Sequence, residues 1–179
     1  MTSPKRRPYD TDLTDEEWAQ IKQFVPIAKV SPFKPPPISR REIVNAILYV
    51  KRTGTQWRNL PHDLPKWQLV YHYYRSWKDQ GIWKTMHDAL RGEIRKAEGR
   101  EEEPTAAILD SQTVKGTEMG GDAGYDAGKK VKGRKRNLLV DVLGLMLMVL
   151  ILPANVQDRD GARQLLPLAK EQYPSLRKA

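Results

Sequence analysis

Between Thr14 and Ile94 the apolar side chains recur at intervals of three and four, the repeat of helices that each bury one stripe. Thr14-Asp-Glu-Glu17 has the spacing of a capping box, and Trp18, Ile21 and Val25 follow on one face, so a first helix is predicted to end before Pro26. Ser39-Arg-Arg-Glu42 repeats that spacing and opens a second helix along Ile43, Ala46, Ile47 and Val50, with Gly54 placed to stop it. A third helix is expected from about Lys66 to Gln80, with Trp67, Val70, Tyr71, Tyr74 and Trp77 as its core stripe. Gly81 caps it, and a fourth helix carries Trp83, Met86, Leu90 and Ile94. Met1 to Asp12 is expected to fray. The four prolines between Pro32 and Pro37 predict a stiff, extended connector.

Beyond the charged tract Lys96 to Pro104 the pattern changes to short continuous apolar runs. Ala106 to Gln112, Asn137 to Val142 and Leu145 to Leu152 read as three antiparallel strands, the last two joined by a turn at Leu143-Gly144. Unbroken runs such as Leu145 to Leu152 predict strands covered on both faces. Asp158 and Asp160 are expected to cap a final helix. Pro167 would kink or end it, since an interior proline costs about 3 kcal/mol. No strand is expected between that helix and Ala179. The fold class is therefore α+β, with a helical module over residues 1–95, a charged linker over 96–105 and a second domain over 106–179.

Charge narrows the partners. Lysine and arginine outnumber acids by 31 to 22, for a net charge of +9 and a pI near 9.7, a balance that favours nucleic acid first and an acidic membrane surface second. The chain has no cysteine, which removes disulfides and thiolate zinc sites. Its start has no apolar stretch of the kind a signal peptide needs. The run Leu138 to Leu152 is shorter than the roughly 20 residues of a spanning helix, so a cytoplasmic protein with no membrane role is expected. His62, His72 and His87 lack zinc-ligand spacing, and Gly120-Gly121-Asp-Ala-Gly124 lacks the lysine of a nucleotide phosphate loop.

Three features are candidates for chemistry. Asp110 ends a short β-prone run, a common way to present a metal-ligating carboxylate. Lys129, Lys130, Lys132, Arg134, Lys135 and Arg136 place six cations in eight residues, read as a loop in which Gly128 and Gly133 let the backbone approach phosphates. Lys66, Gln68, Arg75 and Lys78 ring the third helix, which with the helix before it suits a helix-turn-helix that enters the DNA major groove. Asp141 is a weaker candidate for a neighbour of Asp110.

Four ordered motifs carry a family resemblance: Ile108-Leu-Asp-Ser-Gln-Thr-Val-Lys115, Gly124-Tyr-Asp-Ala-Gly-Lys-Lys-Val-Lys-Gly-Arg-Lys-Arg136, Leu138-Leu-Val-Asp-Val-Leu-Gly144 and Ala154-Asn-Val-Gln-Asp-Arg-Asp-Gly161. With the stretch from about Leu13 to Arg95, they resemble bacterial insertion-sequence transposases of the DDE class, in the group called families four and five. The family's basic run usually ends in His, where this chain has Asn137. The resemblance implies the first half of an RNase H-like domain, three antiparallel strands plus a helix, in which two Asp and one Glu converge to hold Mg2+ or Mn2+. Asp110 maps onto the first of those acids, as catalytic residue and metal ligand. The other two lie on later segments of the family fold, so the expectation is a fragment inactive on its own. The implied partners are the element's terminal inverted repeats and target DNA, with a homodimer or the remaining part of the transposase as a protein partner. The alternatives are a non-catalytic DNA-binding repressor of transposition and a general RNA-binding or nucleoid protein.

Overall fold

Thr14 opens α1 (Asp15–Ile21) by closing a reciprocal pair: its hydroxyl accepts from the Glu17 amide at 3.1 Å, while the Glu17 carboxylate accepts from the Thr14 amide at 2.8 Å. The computed structural model describes residues 6–26, 38–116 and 122–178. The proline connector and the Gly120-Gly121 segment lie outside the described residues. α2 (Arg40–Thr53) ends as predicted at Gly54, whose φ of 70° is left-handed backbone that glycine adopts without a Cβ penalty. Its start differs from expectation. Ser39 makes no side-chain cap, and the Glu42 carboxylate that would complete the box is engaged instead by Arg6 and Asn45.

That diversion also corrects the expected fraying for residues 6–12, while residues 1–5 lie outside the described residues. Arg6 grips Asp12 through two hydrogen bonds of 2.7 and 3.0 Å and meets Glu42 at 2.9 Å, and the two carboxylates raise its pKa. Buried Asn45 accepts from the Leu13 amide, and Tyr9 stacks edge-on with Tyr49, so residues 6–13 are tied to α2.

A 3-10 turn (Trp57–Asn59) leads into α3 (Trp67–Asp79) and α4 (Ile82–Ala97). The predicted aromatic core stripe of α3 is only partly buried. Val70 and Trp77 are inside, whereas Tyr71 is exposed and Trp67 and Tyr74 are half-buried. The reason is that the aromatic rings pack on one another, with Trp57 centred 5.3 Å from Tyr71 and 5.1 Å from Tyr74, so they need less cover from other elements. On α4 Met86 is buried and Trp83 and Leu90 are half-buried as expected, whereas Ile94 is exposed and Arg91 and Arg95 are buried.

The chain divides into two compact units, Met1–His87 and Asp88–Ala179, and the division falls within α4. In the second unit β1 (Ala107–Lys115), β2 (Gly124–Asp126), β3 (Val131–Asp141) and β4 (Met146–Pro153) form one antiparallel sheet, followed by α5 (Asp158–Gln172). β3 is central, pairing with β1 over its length and with β4 and β2. The sheet has a fourth strand where three were expected. The predicted turn is present, with Gly144 at φ 79°.

Leu139, Leu147, Leu165, Ala169, Tyr173 and Leu176 form the core between one sheet face and α5. The opposite face is open: Ile108 and Ile151 are each 55% exposed, and Val149 is also exposed. Continuous apolar sequence therefore did not mean cover on both faces, since among the described residues α5 packs on one side only. Pro167 does not end α5, which continues to Gln172. It sits on the exposed side of the helix, as does Arg163, whose carbonyl it leaves without an amide and which water can satisfy. Gln157 is the N-cap, so Asp158 and Asp160 occupy the first turn and do not cap it.

The outer edge of β1 has one further partner. Ala106 pairs in parallel with Lys178, and the Ala107 amide donates to the Lys178 carbonyl at 2.9 Å, where no pairing segment was expected. Among the described residues no helix is long and apolar enough to cross a membrane.

Candidate active site and nucleic-acid interface

Alternation along the strands decides which side chains can work together. Asp110 lies opposite Leu138 in the β1–β3 pair, on the open face, where its carboxylate is exposed and receives a long 3.4 Å hydrogen bond from Gln112. Gln112 faces Arg136, Val114 faces Arg134, and Lys132 faces Tyr125 across β2. Asp110, Gln112, Arg136, Arg134, Lys132 and Tyr125 thus share one side of the sheet. Lys132 and Arg136 are exposed and Arg134 half-buried, its guanidinium donating to the Asp122 carbonyl at 3.3 Å.

The basic run is mostly strand, not loop. Lys129 and Lys130 lie in the β2–β3 turn, Lys130 with φ 53°. Lys129 bends back toward the Ser111 carbonyl, and its amide is held by Asp126 at 3.0 Å. Gly133 serves the sheet: a Cβ there would fall 1.9 Å from the Val114 carbonyl oxygen, so its small size admits β1, not a phosphate.

Lys135 points the other way and is buried on the α5 side. Its ammonium lies 2.7 Å from Asp158, 3.7 Å from Asp126 and 2.8 Å from the Val156 carbonyl. The Lys129 amide, the Thr113 hydroxyl and the Lys135 charge hold the Asp126 carboxyl below its ordinary value; the Lys135 hydrogen bond does the same for Asp158. This triad ties β2 and the first turn of α5 to β3. Sequence reading missed it because Lys135 is one cation among six, and only the strand period separates it from its neighbours.

Asp141 is not a neighbour of Asp110. It is 0% exposed, lies opposite Ala107 on the core side, accepts from the Leu143 and Leu145 amides at 2.9 Å, and pairs with buried Arg95. Its place is to close the β3–β4 turn. Among the described residues no group of three His, Cys, Asp or Glu side chains is gathered to hold a metal ion. Asp110 offers hard oxygen ligands, but one carboxylate does not make the cage that two divalent ions about 4 Å apart require.

In the first unit Gln68 and Arg75 line an open groove of about 530 Å3 along α3, together with Tyr71, His72, Ser76, Asp79 and Gln80. Lys66 and Lys78 are exposed but do not line it.

Residues 13–87 match the family described as "transposase of IS4/5 family (DUF4096)", and residues 101–176 match "Transposase DDE domain". A 113-residue stretch is 29% identical to the insertion element IS402 uncharacterized 16.2 kDa protein of Burkholderia cepacia, covering 60% of this chain and 76% of that protein. Another of 81 residues is 31% identical to the uncharacterized protein y4sN of Sinorhizobium fredii, covering 45% of this chain and 64% of the relative. No solved structure matches. With one transposase family matched over each half, the chain belongs to the IS4/5-type transposases with a DDE domain.

Proposed function

We propose that this chain takes part in transposition of a bacterial insertion element by holding DNA across two surfaces, and that Asp110 is one acid of the DNA-cutting site. The observation that carries this reading is the shared open face of the sheet, where Asp110 stands with Lys132, Arg134 and Arg136. A cationic strip beside an exposed carboxylate suits a phosphate backbone led past a cutting centre. α3, with Lys66, Gln68, Arg75 and Lys78, is the proposed major-groove reader of a helix-turn-helix, directed at the terminal inverted repeats. The second unit is proposed as RNase H-like. Mg2+ or Mn2+ would be shared between Asp110 and carboxylates other than those described, so no cutting step is assigned to the described residues alone. The proposed setting is the bacterial cytoplasm.

A second reading, a non-catalytic binder that occupies element ends and represses transposition, is favoured because among the described residues no acid cluster forms around Asp110. One experiment bears on both. Gel shift with terminal-repeat and unrelated duplexes at matched salt is run beside a nicking assay with magnesium or manganese. A shift that favours the repeat, without nicking, is expected of this chain. Equal binding to unrelated nucleic acid points to a general binder, and nicking that survives Asp110→Ala overturns the role of that carboxylate.

A further inference from the structure

Tyr125 has no assigned work and an unusual position. It is 56% exposed on the short edge strand β2, opposite Lys132, and among the described residues its ring stacks on no other aromatic. An exposed ring leaves a face free for a planar partner to stack on. Here the surroundings state the chemistry of that partner: Lys132 stands opposite Tyr125 on the same face, in line with Arg134 and Arg136, and this cationic strip attracts a phosphate.

We infer that Tyr125 is a stacking platform for an unpaired nucleotide base, with Lys132, its partner on the same face of the sheet, holding the adjoining phosphate. The site rests on the proposed DNA-binding reading and extends it. Six residues of β3 separate Lys132 from Leu138, the partner of Asp110, which sets the platform roughly 20 Å along the sheet from that carboxylate. At that distance Tyr125 holds a frayed or single-stranded end, while duplex lies over Arg134 and Arg136. Base stacking on aromatic rings tolerates any sequence, so the platform selects unpaired over paired nucleotides.

The test uses the full chain and three labelled DNAs: a blunt duplex and the same duplex with a short 3′ or 5′ overhang carrying 2-aminopurine. The parent is expected to bind at least one overhang about tenfold tighter than blunt DNA and to quench the 2-aminopurine. Tyr125→Ala should lose both the preference and the quench while binding blunt duplex as before, and Tyr125→Trp should keep them. Lys132→Ala should weaken all three DNAs. Unaltered melting temperatures exclude misfolding. A parent that binds blunt and overhung DNA alike, or a Tyr125→Ala protein that retains the preference, overturns the inference and leaves duplex binding standing. A parent that binds none of the three overturns the DNA-binding reading and this site with it.

Discussion

Asp110 and Asp141 stand on opposite faces of the same sheet, the first opposite Leu138 in the open and the second opposite Ala107 in the core. The two acids therefore have different physical roles, and substitution separates them. Asp141→Ala leaves the buried Arg95 guanidinium without its counter-charge, and is expected to cost about 3–5 kcal/mol. Asp110→Ala removes an exposed side chain and should fall within about 0.5 kcal/mol of the parent. Urea denaturation of the two variants measures both.

Lys135 and Lys132 should divide in the same way, three residues apart on one strand. Lys135→Ala removes a buried ammonium from between Asp126 and Asp158 and is expected to destabilise the fold more than Lys132→Ala. Lys132→Ala should instead weaken DNA binding and lower its salt dependence by about one counterion. Paired denaturation and salt titrations show whether the two effects separate.

Acid should act through the Lys135 triad. Asp126 and Asp158 both ionise more readily in the folded chain than in the unfolded one. Their contribution is thus fully present above the unfolded carboxylate value of about 4 and is lost as pH falls through the lower folded values. An Asp126→Asn, Asp158→Asn double variant should show a shallower loss of stability between about pH 4 and 2 than the parent. Equal slopes would show that the triad does not contribute.

Gly161 is held small by Asn137. A Cβ at Gly161 would lie 2.5 Å from the Asn137 Oδ1, and Asn137 is fully buried. Gly→Ala inside a helix normally gains about 1 kcal/mol, whereas overpacking costs about 1–3 kcal/mol. Gly161→Ala should therefore destabilise on balance, and Asn137→Ser in the same chain should restore most of the loss, as read from thermal melts.

Helix positions were legible where local chemistry fixes them. Thr14 with Glu17 and the left-handed stop at Gly54 are decided within a few residues, and both are present. Strand existence was legible in the apolar runs, but strand length was not. The basic residues that begin β3 carry no apolar signal, and their pairing with β1 is a long-range event. Burial of charge was the least visible. Arg91, Arg95, Lys135 and Asp141 look like solvated residues until their partners, tens of positions away, are brought against them. For Asp110 the sequence showed the carboxylate and its strand. Its isolation on the open face became visible only with the register.

The bridge between Ala106 and Lys178 works as a ruler laid against the free edge of β1. Asp110 is four rungs beyond Ala106, so any polypeptide that prolongs this parallel pairing meets the carboxylate at its fourth residue past the Lys178 rung, with that residue's side chain on the same face. A slip of one position would turn that side chain away toward α5. The alignment of whatever strand completes this edge is thus preset by a contact made well away from the acid itself.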